Sequence, residues 1–451
     1  MNDTITIAHQ LTSFCVTEEP KRVKTRNGII TVTTGEVQTE IPRICPVCHS
    51  QMYIHQKHHI HLQHLPIMGK VHVLKVGFLR SKCESCGCIK SQSIPFKVTN
   101  HRITKHLMTL AADYLAKGFT LTEISQILHI HPSTVRDIDV KRLNRMFPSL
   151  KPNTYSTHIA VDEFLLHKRH RYATVFIDLH TGHVLYLEEG KKKQQVLNFI
   201  KFMGKKWMSH VQAVSMDMNA QYDSAFTEGA PHVKIVYDLF HMIKLYNDRV
   251  LTLMRRRTQN ELEEQGNKEA YKLYKNMRFV LTSNRSTLID KDRRAKENNL
   301  YLSKTYSSRG LSLPPGARKM KPNNEQRLDN LLAQNVELAA AYILSEQLKL
   351  AFKEQERAKL EEGMSLWLTL ARQSKVPEIL TYAKTIESHM EGILNHSDHP
   401  ISSGKVEGTN NLIKTIRRKA YGFRDTGYFF LKIMEASRRP KAQYKSHKKM
   451  S

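Results

Sequence analysis

The 451-residue sequence contains no run of about 18 apolar residues, the length that a helix needs to cross a membrane. Residues Met1–Gln10 also lack the basic segment followed by an apolar one that marks a secretory signal peptide. These absences predict a soluble globular chain that stays in the cytoplasm. Hydrophobic residues make up 40% of the sequence, which is enough for the cores of about two to four domains of ordinary size.

Acidic residues are few relative to basic ones. The sequence has 42 Asp and Glu against 70 Lys and Arg, which gives a formal charge of +28 and a pI near 9.8. Such an excess favours a polyanionic partner, because each phosphate that a lysine or arginine neutralises releases condensed counterions. A basic surface without a function is the alternative.

Cysteine is scarce as well, and four of the six cysteines form two C-x-x-C motifs, Cys45 with Cys48 and Cys83 with Cys86. Such pairs hold tetrahedral zinc as thiolates, and their number in so long a chain favours a metal site over disulfides. The alternation in Val71–Val76 predicts a strand between them, so a zinc ribbon is favoured over a helical finger. A domain this small would lack a sufficient core without its metal, and the zinc is therefore predicted to be structural.

The identity of the zinc ligands stays open in two respects. Cys88 follows closely enough to replace Cys86. Histidines between the two pairs are also potential ligands, although clustered histidines in a basic segment are more often solvated; they are His55, His58, His59, His61 and His64.

Residues 101–147 have the periodicity of helices. Thr120 and Glu123 fit a capping box at the start of one helix, and a short turn at His129–His131 leads to Pro132 in the first turn of the next. This pattern predicts a helix-turn-helix whose second helix, Pro132–Leu143, enters the major groove of DNA. The residues predicted to face DNA are Ser133, Thr134, Arg136 and Lys141. An ordinary helical hairpin is the alternative.

After a linker at Pro148–Pro152 the pattern changes to strands. Three apolar runs end in an acid, at Asp162, Asp217 and Asp238, and a helix at Lys193–Trp207 comes between the first two. Any one of these aspartates could instead cap the element that follows it. The repetition favours a carboxylate cluster at the edge of a sheet in an α/β domain.

The C-terminal part contains a further carboxylate. The glycine-punctuated stretch Ser403–Asn411 leads into Leu412–Lys419 and is typical of the start of an amphipathic helix, with Glu407 in its first turns. A face suited to anions follows, with Lys414, Arg417 and Arg418. The charged region from about Leu251 to His399 is interpreted as a helical insertion with a loop at Ser307–Pro322, and the basic tail after residue 436 is expected to order only on nucleic acid.

Asp162, Asp217 and Glu407 are distant in sequence, but strand ends and a helix can bring them together. Two unit charges about 4 Å apart repel by about 4 kcal/mol at an effective dielectric constant of 20, and divalent cations remove that conflict. Oxygen ligands select Mg²⁺ or Mn²⁺, and two such ions can activate a water or a 3′-hydroxyl and stabilise the leaving oxygen of a phosphodiester. The predicted chemistry is phosphodiester cleavage and transfer.

These motifs together resemble those of bacterial insertion-sequence transposases of the ISL3 group. Besides the cysteine pairs and the helix-turn-helix, the matching segments are Val161–Glu163, Ser215–Asn219, Asp238–His241, Lys405–Asn411 and Ala420–Arg424, so the resemblance covers nearly the whole chain. It implies an α/β, RNase H-like core with a metal-binding triad of Asp162, Asp217 and Glu407, interrupted by an α-helical insertion. It also implies binding of the element's terminal inverted repeats and of target DNA, 3′-end release and strand transfer, usually within a homo-oligomer.

The resemblance leaves some roles open. Asp238 and His241 match the family pattern, either as supports of the metal ligands or as capping and packing residues, and Arg424 is expected near a DNA phosphate.

The expected layout is a zinc ribbon (1–98), a helix-turn-helix (99–150), a core (151–250 and 401–436), a helical insertion (251–400) and a basic tail (437–451). The protein is expected on the chromosome in the bacterial cytoplasm. A DNA-binding regulator derived from an inactive transposase and a standalone RNase H-like nuclease are the competing functions; the intact acids argue against the first, and the two N-terminal modules against the second.

Overall fold

The computed structural model describes residues 11, 13–26, 28–167, 171–275, 277–312, 323–401 and 404–439. The chain divides into two compact units: Met1–Leu150 with Leu412–Ser451, and Lys151–Asn411. The predicted core segment 401–436 is therefore divided between the two units. Most of the predicted loop at Ser307–Pro322 and of the predicted basic tail lies outside the described residues. None of the described helices combines the length and the apolar character that crossing a membrane requires.

The first unit begins with a six-stranded sheet, in which the order is β1-β3-β5-β4, β2 pairs with β3 and β6 pairs with β5. The strands are β1 Phe14–Val16, β2 Lys21–Thr25, β3 Gly28–Val37, β4 Met52–Ile67, β5 Lys70–Cys83 and β6 Ile89–Ser91. Alternate residues of β4 and β5 are buried, among them Leu62 and Leu74, and they form a core with Phe96. The alternation predicted at Val71–Val76 therefore belongs to a strand twice that length.

One histidine of the predicted solvated cluster is buried. His64 is 1% exposed, and its Nδ1 lies 2.8 Å from the hydroxyl of Thr104. Its position on β4 turns it toward the same face as Leu62, two residues earlier, because side chains alternate along a strand. Burial, with the neighbouring rings of His72 and His106, lowers the pKa of His64 to about 4. The expectation of a solvated side chain is therefore wrong for His64, whereas His55, His59 and His61 are exposed.

Four helices complete the first unit: α1 Lys105–Ala116, α2 Leu121–Leu128, α3 Pro132–Met146 and, from the C-terminal segment, α18 Thr426–Ser437. The predicted capping box of α2 is present, since Glu123 accepts from the Thr120 backbone at 2.7 Å and the Thr120 hydroxyl accepts from Glu123 N at 3.2 Å. His129 ends α2 with a φ of 53°, and Pro132 begins α3. The helices pack through Leu107, Ile124, Val135 and their neighbours.

A network of buried charges joins α18 to α3. Asp139 of α3 is fully buried and accepts from Arg142 (2.6 Å), from the hydroxyl of Tyr428 (2.7 Å) and from Lys432 Nζ (2.9 Å). Arg142 also pairs with Glu435 at 2.6 Å. Burial alone would raise the pKa of Asp139, but Lys432, Tyr428 and Arg142 outweigh it and hold that pKa below its ordinary value. The C-terminal helix is thus an integral part of the helical domain.

The second unit is built on a five-stranded mixed sheet with the order β11-β10-β7-β8-β9. Its strands are β7 His158–His167, β8 Arg171–Asp178, β9 Val184–Glu189, β10 Ala213–Met216 and β11 Lys234–Tyr237. The first three strands form an antiparallel meander, and β10 and β11 run parallel to β7. β7 does not end at Asp162, because β8 pairs with it as far as His167. That acid therefore lies in mid-strand, whereas Asp217 and Asp238 directly follow their strands as predicted.

The other described elements of the second unit are helices. They are α4 Lys193–Met203, α5 Lys205–Met208, α6 Ala220–Gly229, α7 Leu239–Tyr246, the π-helix Asn247–Leu251, α8 Thr252–Glu264, α9 Lys268–Lys275, α10 Arg278–Thr282, α11 Arg285–Ser307, α12 Asn324–Gln334, α13 Val336–Ala351, α14 Arg357–Gln373, α15 Pro377–Ser388, α16 Met390–Asp398 and α17 Gly404–Lys419, of which the residues up to Asn411 belong to this unit. A buried aromatic cluster of Tyr246, Trp367 and Tyr382, packed edge to face, lies among them. Asn335 separates α12 from α13 and caps α13.

Helix α16 covers the edge strand β11. Gly392 lets the helix approach closely, since a Cβ at this position would overlap the ring of Tyr237. Asn395 donates its amide to the backbone carbonyl of Ile235 at 3.0 Å and so satisfies an acceptor of the sheet edge. A helix from the end of the predicted insertion thereby covers one edge of the sheet.

Candidate active site and metal centres

A cavity of about 560 Å³ opens at the sheet of the second unit. Asp162 lines it from β7 and Asp217 from the end of β10. These strands are parallel neighbours with Ser215 opposite Ala160, so the same register continued by two residues sets the two carboxylates side by side. The other lining residues are Val161, Glu163, Tyr172, Met218, Asn219, Ala220, Tyr222, His241 and Asn410. Two of the three predicted catalytic acids therefore lie in one cavity.

Asp217 also belongs to a cluster with Asp238 and His241. The three offer one ligand atom each within 4.8 Å of one another. His241 Nδ1 lies against a carboxylate oxygen of Asp217 and is 3.4 Å from Asp238 Oδ2. The interaction with Asp217 outweighs burial and raises the pKa of His241. Asp238 is placed by its second role as N-cap of α7, where its side chain accepts from the backbone of Phe240 at 2.9 Å.

Asp162 is held from two directions. Its Oδ1 accepts from the backbone of Glu163 at 2.7 Å, and its Oδ2 accepts from the amide of Asn410 at 2.6 Å. Burial raises the pKa of Asp162, these two hydrogen bonds lower it, and the charge of Asp217 raises it further; the net shift is upward. A carboxylate that is costly to ionise, beside further carboxylates, fits a site that a divalent cation would neutralise, and hard oxygen ligands suit Mg²⁺ or Mn²⁺.

Glu407 lies on α17, on which Asn410 follows one turn later and so faces the same side. The start of α17 is bound to the sheet region of the second unit, because Lys405 Nζ donates to the backbone carbonyl of Leu179 at 2.6 Å and also to that of His180. Glu407 itself is exposed between these two anchored residues and is not among the described residues that line the cavity. The predicted third acid therefore lies on a helix that contacts Asp162 through Asn410.

Several polar residues that line the cavity are not among the predicted site residues. Three of them, Glu163, Asn219 and Asn410, lie within the segments that match the family. Glu163 accepts from the amide of Asn219 at 3.3 Å, and burial raises its pKa. The hydroxyl of Tyr222 lies 3.1 Å from that of Thr174. Only their positions in the sequence could have indicated these residues. Glu163 directly follows Asp162, Asn219 lies two residues after Asp217, and Asn410 follows Glu407 by one helical turn.

The family model for ISL3-type DDE transposases, described as "Transposase", matches residues 159–433, which include the sheet from Ile159 onward and the acids Asp162, Asp217, Asp238 and Glu407. This match spans more than half of the chain. The chain belongs to the ISL3 group of DDE transposases. It is thus an enzyme of DNA transposition, and membership of this family implies an RNase H-like core, with which the mixed α/β unit is consistent.

Curated relatives agree with this assignment of the transposase. It is 29% identical over 396 residues to the transposase for insertion sequence element IS1001 of Bordetella parapertussis, a match that covers 87% of this chain and 88% of the relative. It is 24% identical over 321 residues to the transposase for insertion sequence element IS1557 of Mycobacterium tuberculosis, covering 69% of this chain and 67% of the relative. The similarity to the IS1001 transposase extends well beyond the region of the family model.

The first unit of the transposase contains a four-cysteine cluster. The Sγ atoms of Cys45, Cys48, Cys83 and Cys86 lie within 4.8 Å of one another, and all four are free thiols rather than disulfides. The Sγ distance is 3.5 Å from Cys45 to Cys86 and 3.4 Å from Cys48 to Cys83. Sulfurs about 2.3 Å from a tetrahedral zinc ion lie only slightly farther apart, so the four thiols fit zinc.

The open choice of the fourth ligand is narrowed by this geometry. Cys86 is one of the four clustered thiols. Cys88 packs beside Cys45 and Cys83, and among the described residues its thiol is not part of the four-cysteine cluster. Hydrogen bonds from the side chain and backbone of Ser50 are the largest causes that lower the pKa of Cys48, to about 6. A thiol that loses its proton readily at neutral pH is a ready metal ligand.

The predicted DNA-facing residues lie in the first unit. Ser133 is in the first turn of α3, with its hydroxyl 2.7 Å from His131 Nδ1. Arg136 is not free: it pairs with Asp425 at 2.6 Å and lies over the ring of Tyr428. The remaining predicted residues are Thr134 and Arg417, both half-buried, and Lys141, Lys414, Arg418 and Arg424, all exposed. Contact of Arg136 with a base stays a prediction, and it would require Arg136 to give up or share its partner.

Proposed function

We propose that Asp162, Asp217 and Glu407 hold the divalent ions, Mg²⁺ or Mn²⁺ and two in number, with which this transposase cleaves DNA and transfers strands. The observation that carries the proposal is the convergence of Asp162 and Asp217 in one cavity with Asn410, a residue of the Glu407 helix, hydrogen-bonded to Asp162. When bound, the ions supply activation of the attacking oxygen and stabilisation of the leaving oxygen of a phosphodiester.

The other side chains of the cavity position these ligands. Asn410 fixes Asp162 in place, and the tether of Lys405 to the core fixes the start of the helix on which Glu407 lies. His241 contacts the carboxylate of Asp217 and lies 3.4 Å from that of Asp238, and the ligand atoms of all three residues are near enough to share a cation. This arrangement gives Asp238 and His241 a supporting role at the metal centre.

The first unit serves DNA recognition in this proposal. Its helices α2 and α3 are joined by the predicted short turn, and Ser133, Thr134 and Lys141 on α3 would contact the terminal inverted repeats. Lys414, Arg417, Arg418 and Arg424 would contact phosphates of the repeats or of the target. The net charge of +28 supports such a role, because it gives the partner polyanion many possible contacts. A homo-oligomer on DNA completes the proposal, since two ends of one element must be joined.

The four cysteines hold a structural zinc ion in the same scheme. Cys45→Ser should release zinc, measured by elemental analysis of the purified chain, and lower the melting temperature of the first unit, because a structural zinc ion contributes folding free energy directly. Cys15→Ser is the control, since Cys15 is an exposed thiol remote in sequence from both pairs. Zinc content that is equal in the two variants would exclude this ligand set.

The catalytic assignment is tested by nicking of DNA that carries the terminal sequence, with Mg²⁺ or Mn²⁺ and without either. Glu407→Gln should bind this DNA as the wild type does and fail to nick it. Glu361→Gln, at an exposed position of α14, removes the same charge elsewhere and should nick normally. A Glu407→Gln enzyme with wild-type nicking would place the third metal ligand elsewhere, and His241 would be the first alternative.

A further inference from the structure

A second cavity lies beside the helix that begins at Asp238. Its volume is about 510 Å³, within the range of small-ligand sites, and α7, the π-helix and α10 line it. Phe240, one residue before His241, and Phe279 are part of its wall. The position of Phe240 is coupled to the candidate metal cluster, because its backbone N–H donates to the side chain of Asp238 at 2.9 Å.

Both phenylalanines leave large parts of their rings in solvent. Phe240 is 65% exposed and Phe279 is 44% exposed. Burial of a phenylalanine side chain is favourable by about 1.5–3 kcal/mol, so two exposed rings in one concave wall indicate a partner that covers them. A flat aromatic or heterocyclic partner suits them best, since it can stack on either ring.

The charges around the cavity favour an anion attached to that partner. Lys244 and Arg278 line the cavity, and Lys291 Nζ lies 3.9 Å from the centre of the Phe279 ring. Asp248, the carboxylate among the described lining residues, is already paired with Arg278 at 2.8 Å. Cations next to exposed aromatic rings are the arrangement that proteins use to bind unpaired nucleotides, the rings stacking on the base and the cations contacting the phosphate.

The floor of the cavity adds a polar group. Asn247 and Asp248 belong to the π-helix, a helical irregularity that occurs frequently at functional sites. The side-chain oxygen of Asn247 is buried and has no hydrogen-bond partner among the described residues. An asparagine amide offers both a donor and an acceptor, so it can pair with the edge of a base.

We propose that this cavity takes one unpaired nucleobase of the DNA strand adjacent to the cleaved phosphodiester. Phe240 and Phe279 stack on the base, Asn247 contacts its edge, and Lys244 contacts the neighbouring phosphate. Extraction of one base would hold the strand at a fixed distance from the carboxylates. The proposal rests on the assignment of the chemistry to the cavity of Asp162 and Asp217.

The test uses a DNA duplex that carries the element's own terminus, with 2-aminopurine in place of one base at a time on both sides of the cleavage point. The full-length transposase is added with Ca²⁺ as the divalent ion. We expect a rise in fluorescence at one position next to the cleavage point, because 2-aminopurine emits more strongly when it leaves the base stack. Phe240→Ala and Phe279→Ala should each remove most of that rise, and Phe240→Tyr, which keeps the ring, should preserve it.

Nicking in Mg²⁺ gives the second measurement. Loss of one stacking ring should slow nicking by roughly 5-fold to 150-fold, the range expected for one base–aromatic contact. Ile343→Ala is the matched control, since Ile343 is also a large apolar residue of the second unit and is 56% exposed. It should alter neither readout. Phe240 is mostly in solvent, so its loss should leave the melting temperature nearly unchanged.

Two outcomes would overturn the proposal. Fluorescence that never rises, or rises equally in Phe240→Ala, would mean that no base enters the cavity. A change of oligomeric state in Phe240→Ala, measured by light scattering, without a change in fluorescence would assign the rings to a protein interface instead. The fluorescence measurement involves no cleavage, so it distinguishes a failure here from a failure of the carboxylate assignment, which the Glu407→Gln nicking assay reports.

Discussion

Two aspartates of this transposase, the buried Asp139 and the half-buried Asp162, show opposite electrostatics. Asp139, in the helical domain of the first unit, contacts two cations and a tyrosine hydroxyl, and its pKa is held below the ordinary value. Asp162, in the cavity of the second unit, accepts only neutral hydrogen bonds among the described contacts and lies beside another carboxylate, and its pKa is raised. The same side chain thus contacts two cations in one place and has no hydrogen-bonded cation among the described contacts in the other.

The difference separates a structural charge from a functional one. A buried carboxylate whose partners are all present stabilises the fold around it, whereas a buried carboxylate without a counter-charge costs folding free energy and persists where it serves a site. Asp162 therefore fits a ligand for a cation that the protein does not itself supply. The comparison leads to five predictions, given from the largest expected effect to the smallest.

Asp162→Asn should separate activity from stability. Nicking of terminal DNA should fall 1000-fold or more, because the loss of a metal ligand removes several kcal/mol of transition-state stabilisation. The metal-free protein should become more stable to urea by about 0.5–2 kcal/mol, since the variant removes a charge that is costly to bury. Asn410 can accept the new amide, because its side-chain oxygen is buried without a hydrogen-bond partner among the described residues. A clear loss of stability would contradict the view that Asp162 is uncompensated.

Asp139→Ala should have the opposite effect on stability. The variant leaves Lys432 and Arg142 to share Glu435 as their remaining buried carboxylate and leaves the hydroxyl of Tyr428 without its acceptor. The buried charge that is then uncompensated should cost about 3–5 kcal/mol of unfolding free energy in the first unit, measured by urea titration. Asp113→Ala, at an exposed position of α1, is the control and should change little. A cost below 1 kcal/mol would mean that water replaces the network.

The same network predicts a pH dependence. Because the pKa of Asp139 is lower in the folded than in the unfolded chain, its stabilisation is fully present above the ordinary value of 3.8 and is lost as the pH falls through the folded value. Thermal unfolding between pH 7 and pH 3 should therefore show a decrease confined to the acid end of this range. That decrease should be smaller in Asp139→Asn, and an equal decrease in the two proteins would assign it to other groups.

Asn410→Ala should weaken the site without abolishing it. The variant removes the amide that orients Asp162, and loss of such a supporting hydrogen bond typically costs about 10-fold to 100-fold in metal affinity. The affinity for Mn²⁺, measured by calorimetry, should fall by this amount, with a smaller effect in the neighbouring exposed variant Asn411→Ala. Equal losses in the two would mean that the helix start, rather than the contact with Asp162, is what matters.

Arg136→Ala should have the smallest effect on stability, less than about 1 kcal/mol, because its pair with Asp425 is partly exposed. Its effect on DNA is the informative one. If Arg136 exchanges Asp425 for a base, the variant should lose about 1–3 kcal/mol of binding to the terminal repeat and should relax the preference at one base position. A uniform loss across all sequences would indicate a contact with phosphate only.

Local signals in the sequence sufficed for several parts of the fold. The capping box at Thr120, the turn before Pro132 and the acids after β10 and β11 follow from short-range chemistry. The attachment of α18 to α3 could not be predicted in this way, because Arg136 and Asp425 are 289 residues apart. The apolar periodicity of a helix predicts which of its faces is buried. It does not predict which other helix packs against that face.

The candidate site shows the same limit. Asp162 and Asp217 were identified from the apolar runs that precede them, but the mid-strand position of Asp162 depends on the length over which β8 pairs with β7. The hydrogen bond from Asn410 requires a helix to approach a strand 248 residues earlier, and no spacing rule covers that. His64 was misjudged for a similar reason, since its burial depends on Thr104 and a helix outside the histidine-rich segment.

The cover that α16 provides for β11 has a practical consequence. A sheet edge with free backbone groups is a template for strands of other chains, and proteins that leave one open tend to aggregate. Here Gly392 and Asn395 bring a helix onto that edge, and the helix begins at Met390, 153 residues after β11 ends at Tyr237. All five strands are therefore synthesised before α16. During that interval the edge of β11 lacks its covering helix, and a chaperone could bind there.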